Sequence, residues 1–105
     1  MKFIAVITTL GSRDQAQRMA RALVERGLAA CAQISEIESF YRWDGALHNE
    51  PEFRVLFKTS DENYASVEQA IRELHSSDLP AIHAYAIEHI DGPYAAWLQG
   101  HCHTG

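Results

Sequence analysis

The chain is poor in positive charge. Its 105 residues hold nine Lys and Arg against fourteen Asp and Glu, a formal net charge of −5. That balance argues against a phosphate-binding surface, since nucleic-acid binders cluster Lys and Arg, and against an anionic membrane surface. No apolar run approaches the roughly 18 residues that a membrane span requires. The opening MKFIAVITTLG imitates a short signal peptide. However, Thr8 and Thr9 close the run, no small-x-small cleavage site follows, and a helical pattern begins at once. Cysteine is scarce: Cys31 and Cys102 are the only two, and in the cytosol the default is two free thiols. Repeats and low-complexity runs are absent. So are a Walker loop, a nucleophile elbow, a CxxC pair and a dinucleotide fingerprint. The expectation is one cytosolic, non-enzymatic domain over residues 1–105, with a single core.

What is present is a clear succession of periodicities. Phe3 to Thr9 is a β-branched apolar run suited to a central strand. Ser12 offers an N-cap with Gln15 as its capping-box partner. Ala16, Met19, Ala20, Leu23 and Val24 then share one helical face, and Gly27 stops the helix. Leu28 to Trp43 reads as extended, and Asp44-Gly45 is a type I′ hairpin signal. Phe53, Val55 and Phe57 alternate along the return strand, which runs to Thr59. Asp61 and Glu62 favour a helix start, followed by the stripe Tyr64, Val67, Ile71, Leu74. Pro80 bars further helix, Ile82 to Ile90 reads as a strand, and Gly92-Pro93 opens a last short helix. The order β-α-β-β-α-β plus a terminal helix predicts an α+β, ferredoxin-like fold, the split βαβ arrangement, with two helices on one face of an antiparallel sheet. The other face then has no cover from its own chain, although the last strand is apolar on both sides. An uncovered apolar face predicts a partner.

The stretch SFYRWDG at 39–45 sharpens that expectation. As one strand, Ala29 to Trp43 would reach about 50 Å at about 3.3 Å per residue, whereas a domain of this size is roughly 35 Å across. The hairpin must bend, with Ser35-Glu36 as a place for a bulge, or project, or both. A projecting hairpin carries Phe40, Tyr41 and Trp43 beyond the core, on both faces. Such an edge needs cover from another chain. Tyr and Trp are enriched in interface cores, which favours a homo-oligomer over a local cluster folded back on its own loop.

These residues carry a resemblance. VITT at 6–9, LVERGLAACAQI at 23–34, SFYRWDG at 39–45, LFKT at 56–59, LHSSDLPAI at 74–82 and YAAWL at 94–98 occur in the order found in the CutA family, the divalent-cation-tolerance proteins. The resemblance implies a homotrimer with the long hairpin between subunits, a role in the response to metal ions, and binding of copper or another divalent metal. His75 matches a histidine that is a copper ligand in some members. Here Ser76, Ser77 and Ala81 replace the usual Pro, Tyr and Glu, and Thr8 stands where some members carry a cysteine. His75 can equally be a helix-end histidine meeting the C-terminal dipole. Cys31, among small side chains, reads as a small buried hydrophobe. The tail GHCHTG has no family counterpart. His101, Cys102 and His103 suit copper(I) or zinc, as a specific site or an adventitious one. Lys58, on the same strand as Glu52, either holds an anionic ligand or forms a salt bridge. An alternative function follows from this: a trimeric ligand-sensing module resembling the PII signalling proteins, taking a small anion between subunits through Lys58 or Arg42. Acylphosphatases share the expected topology, but their Gly-rich phosphate loop is missing after the first strand.

Overall fold

The apolar run at the start of the chain forms the strand around which the sheet is built. In the computed structural model, which describes residues 1–103, β1 (Phe3–Leu10) is followed by α1 (Arg13–Glu25), β2 (Cys31–Trp43) and β3 (Ala46–Ser60). A 3₁₀ turn (Asp61–Asn63), α2 (Tyr64–Leu74), β4 (Ile82–Ile87) and α3 (Gly92–His101) complete it. The sheet order is β2-β3-β1-β4 with every neighbouring pair antiparallel, the split βαβ order that the element sequence predicts. The second strand starts at Cys31 rather than Leu28, and the fourth stops at Ile87 rather than Ile90.

Even-numbered residues of β1 face the two long helices. Ile4, Val6 and Leu10 pack with Val55 and Phe57 against Ala16, Met19 and Leu23 of α1 and Val67 and Ile71 of α2. Burying each large apolar side chain contributes roughly 1.5–3 kcal/mol. Val24 and Leu74 of the expected helical stripes lie at the margin and stay exposed. The opposite sheet face is not left wholly to a partner, as the two-helix arrangement suggested. α3, capped by Asp91 accepting from the Tyr94 N–H, lays Leu98 against Phe3 and Ala30 and covers one end. The remainder of that face keeps Tyr85 exposed at 60%.

The hairpin resolves its length problem by projecting. Asp44 and Gly45 have φ of 51° and 77°, the two left-handed residues a type I′ turn needs. β2 and β3 then pair without interruption from Trp43↔Ala46 to Cys31↔Lys58. No extra residue enters, so the bulge expected at Ser35-Glu36 is not formed. β1 accompanies β3 only from Ser60 to Phe53. Beyond Phe53 the two hairpin strands have only each other, and the longest dimension of the chain is 45 Å against 26 and 21 Å across.

The end of α1 shows how local chemistry fixes a junction. The Gly27 N–H donates to the Val24 carbonyl and the Leu28 N–H to the Leu23 carbonyl, a Schellman closure with Gly27 at φ 74°. The Gly27 carbonyl then accepts from the His103 N–H at 2.7 Å, and a Cβ on Gly27 would overlap the His103 ring. At Gly45, φ is 77° and nothing lies within 4 Å of an added Cβ. Gly45→Ala therefore costs only the left-handed backbone strain, about 1–2 kcal/mol. Gly27→Ala costs that plus displacement of His103. Urea denaturation is expected to show Gly27→Ala as the less stable variant, with the excess abolished in chains ending at Cys102.

Candidate functional site

The residues singled out from the sequence fall in three places. The first is a cleft of about 460 Å³ beyond the end of β1, lined by Thr9, Gly11 and Gln15, by Tyr41, Trp43 and Glu52 of the hairpin, and by the 75–81 segment. Period-two alternation puts Thr9, Tyr41, Trp43 and Glu52 on one sheet face, and the register Tyr41↔His48 and Ile37↔Glu52 keeps them there. Phe40 points to the other face and is 66% exposed. Tyr41 is held on both sides of its ring system. Its hydroxyl donates to Glu50 Oε1 at 3.0 Å, and its ring stacks on His48 at 5.3 Å. The hydrogen bond to the Glu50 carboxylate, followed by desolvation and the charges of Glu50 and Glu52, pushes the Tyr41 hydroxyl above the ordinary tyrosine range.

His75 closes the cleft wall after α2. The Ser77 N–H donates to its Nδ1 at 3.0 Å, so the ring proton sits on Nε2 and is donated to the Thr9 carbonyl at 2.7 Å. Both nitrogens of a neutral imidazole are thus engaged by backbone groups. A metal at His75 would have to displace one of them. The ring pins the 75–81 segment to β1 rather than meeting the dipole of its own helix.

The C-terminal trio diverges. His101 Nδ1 donates to the Trp97 carbonyl at 2.8 Å, and its ring stacks on Trp97 at 4.7 Å. Its Nε2 has no protein partner among the described residues. The Cys102 thiol donates to the Leu98 carbonyl at 3.1 Å and packs towards Phe3 and Leu98. His103 turns away to Gly27. Among the described residues no three His, Cys, Asp or Glu side chains gather as a metal centre. Both cysteines are free thiols.

Lys58 does not pair with Glu52. The two lie on one face, but six residues separate them, about 20 Å along a strand. Lys58 Nζ instead donates to Tyr94 Oη at 3.1 Å and sits 5.2 Å from that ring. Arg42 alternates to the opposite face at the hairpin tip, so one chain does not bring Lys58 and Arg42 around a common anion. The sequence reasoning missed Glu52 and Gln15 as cleft residues. Alternation alone could have joined Glu52 to Tyr41 and Trp43, but only the tertiary path of the 75–81 segment adds Gln15.

Comparison with known proteins fits this architecture. The pattern of the CutA1 divalent ion tolerance protein family matches residues 4–101. The divalent-cation tolerance protein CutA of Archaeoglobus fulgidus is 34% identical over 89% of this chain and 91% of its own. That of Thermotoga maritima is 32% identical over 91% and 95%. Among solved structures, CutA from Synechococcus elongatus superposes with a TM-score of 0.92 at 34% identity, covering 94% of this chain and 88% of its own. CutA1 from Oryza sativa superposes at 0.96 with 25% identity, over 100% and 97%. With the family pattern spanning nearly every described element and the same fold throughout, the chain belongs to the CutA1 divalent-ion-tolerance family.

Proposed function

We propose that the protein serves divalent-cation tolerance as a cytosolic homotrimer that binds copper or another divalent metal ion. The observation that carries the assembly is the projecting hairpin. Phe40, Trp43 and Leu47 are 66%, 56% and 69% exposed on strands that no third strand of the chain accompanies. That much apolar surface on a bare edge calls for a protein partner, and a further copy of this chain is the reading that the resemblance to a homotrimeric family supports. Two unpaired thiols suit a reducing compartment.

For the metal, His101 is the lead ligand. Its Nδ1–H is anchored on a backbone carbonyl, the arrangement that orients a metal-binding imidazole and leaves Nε2 for the ion. Cys102 supplies a soft donor if its thiol releases the Leu98 carbonyl, and His103 a second imidazole if it leaves Gly27. Tails from neighbouring subunits supply the remaining positions. His75 belongs to this reading only at the expense of a backbone hydrogen bond.

Two outcomes test the proposal. Light scattering coupled to size exclusion is expected to give about 35 kDa, three chains of 11.8 kDa, and Phe40→Glu is expected to lower that mass. A wild-type mass of one chain would end the trimer reading. Anaerobic competition titration is expected to show one copper(I) per chain, weakened about tenfold or more by His101→Ala together with Cys102→Ser and little changed by His75→Ala. Loss of binding in the His75 variant alone would move the site to the cleft wall.

A further inference from the structure

We propose, resting on the metal reading above, that the chain end is a latch on the turn after α1, and that recruiting His103 to a copper(I) ion at His101 opens it. Two contacts close the latch. The His103 N–H donates to the Gly27 carbonyl at 2.7 Å, and the imidazole lies so close to Gly27 that a Cβ there would strike ring atom Cδ2. Gly27 has a φ of 74°, so the residue that closes α1 in the left-handed conformation is also the bare backbone on which the ring rests.

The donors of the tail differ in how firmly they are held. His101 already presents Nε2, while Trp97 fixes its ring by a stack at 4.7 Å and a hydrogen bond at 2.8 Å. Cys102 is anchored twice on the Leu98 carbonyl, through its N–H at 3.2 Å and its thiol at 3.1 Å, and it packs against the cluster of Phe3, Ala30 and Leu98. His103 is exposed, and the hydrogen bond that holds it is a backbone one. A second imidazole, a donor that suits copper, is therefore recruited by breaking one backbone hydrogen bond and one ring contact, without opening the apolar cluster. His103 is then either on Gly27 or beside His101. Two exclusive positions of one residue form a reciprocal linkage. Metal opens the latch, and a closed latch weakens metal binding in proportion to the fraction of chains left open.

The linkage has a sign that a merely structural role of Gly27 does not predict. Gly27→Ala removes the seat of His103 and leaves every donor in place. The full-length variant is expected to bind copper(I) about fivefold more tightly than wild type in anaerobic competition titration, although it is the less stable protein. His103→Ala keeps the backbone contact, removes the ligand and is expected to bind more weakly. Gly45→Ala places the same backbone strain far from the tail and is expected to match wild type. Because copper(I) is diamagnetic, NMR can follow the His103 amide of the wild-type chain, and its hydrogen exchange is expected to quicken on loading. Equal affinity in wild type and a folded Gly27→Ala chain, undiminished affinity in His103→Ala, or His103 amide protection that loading leaves unchanged overturns the latch while the metal site stands. Absence of copper(I) binding in wild type and Gly27→Ala alike overturns both.

Discussion

The turn at Asp44-Gly45 is the constraint on which the rest depends. Two adjacent positive φ values set a two-residue loop, and a two-residue loop sets the register of thirteen cross-strand pairs. Because side chains alternate with a period of two, a slip of one residue would exchange the faces of the moved strand. Tyr41 and Trp43 would leave the cleft, and Phe40 and Arg42 would enter it. The same register sends Val55 and Phe57 into the core, so the burial of β3 and the exposure of the hairpin tip are settled by one piece of geometry. The turn is itself exposed and contributes little burial. Its influence is combinatorial rather than energetic.

A second dependence runs through His75. Segment 75–81 has no regular structure before β4, and Pro80 denies it a helix. What holds its start on the sheet is one imidazole used from both sides, accepting from Ser77 and donating to Thr9. Two hydrogen bonds of about 1 kcal/mol each thereby position one wall of the cleft. The arrangement requires the neutral ring with its proton on Nε2, since an imidazolium has no lone pair for the Ser77 N–H.

Much of this was legible in the sequence where a single local rule decides. Ser12 caps α1 by accepting from the Gln15 N–H, Gly27 ends it in a left-handed conformation, and Asp44-Gly45 turns the hairpin, each through a residue type with one conformational use. The sheet order followed from the element order. What could not be read were choices among distant partners. Lys58 prefers Tyr94, 36 positions later, to Glu52 on its own strand. α3 returns to cover one end of the sheet face expected to be bare. The bulge at Ser35-Glu36 was inferred from rising polarity, but polarity there reflects a strand leaving the core rather than a break in pairing. The HCH tail offered three donor side chains in three positions, as a specific site or an adventitious one. Adjacency at the end of a helix sends them in different directions.

The C-terminal donors and the cleft beside the hairpin share no residues. His101, Cys102 and His103 follow one another at the end of α3, with Cys102 near Phe3 and His103 at the C-terminal end of α1, while the cleft opens beyond Thr9. Along β1 those positions are six residues apart, about 20 Å. Over that distance exposed charges at physiological salt are largely screened from one another, so occupancy at one end has no direct electrostatic effect on the other. Any coupling would have to pass mechanically, and β1 is the element able to carry it. Phe3 contacts Leu98 at one end, and the Thr9 carbonyl receives His75 at the other. Yet β1 is paired on both edges and packed on both faces over much of its length. A strand so constrained has one arrangement rather than two, and a single arrangement transmits no switch. Within one chain the two ends of β1 are therefore not coupled through the strand.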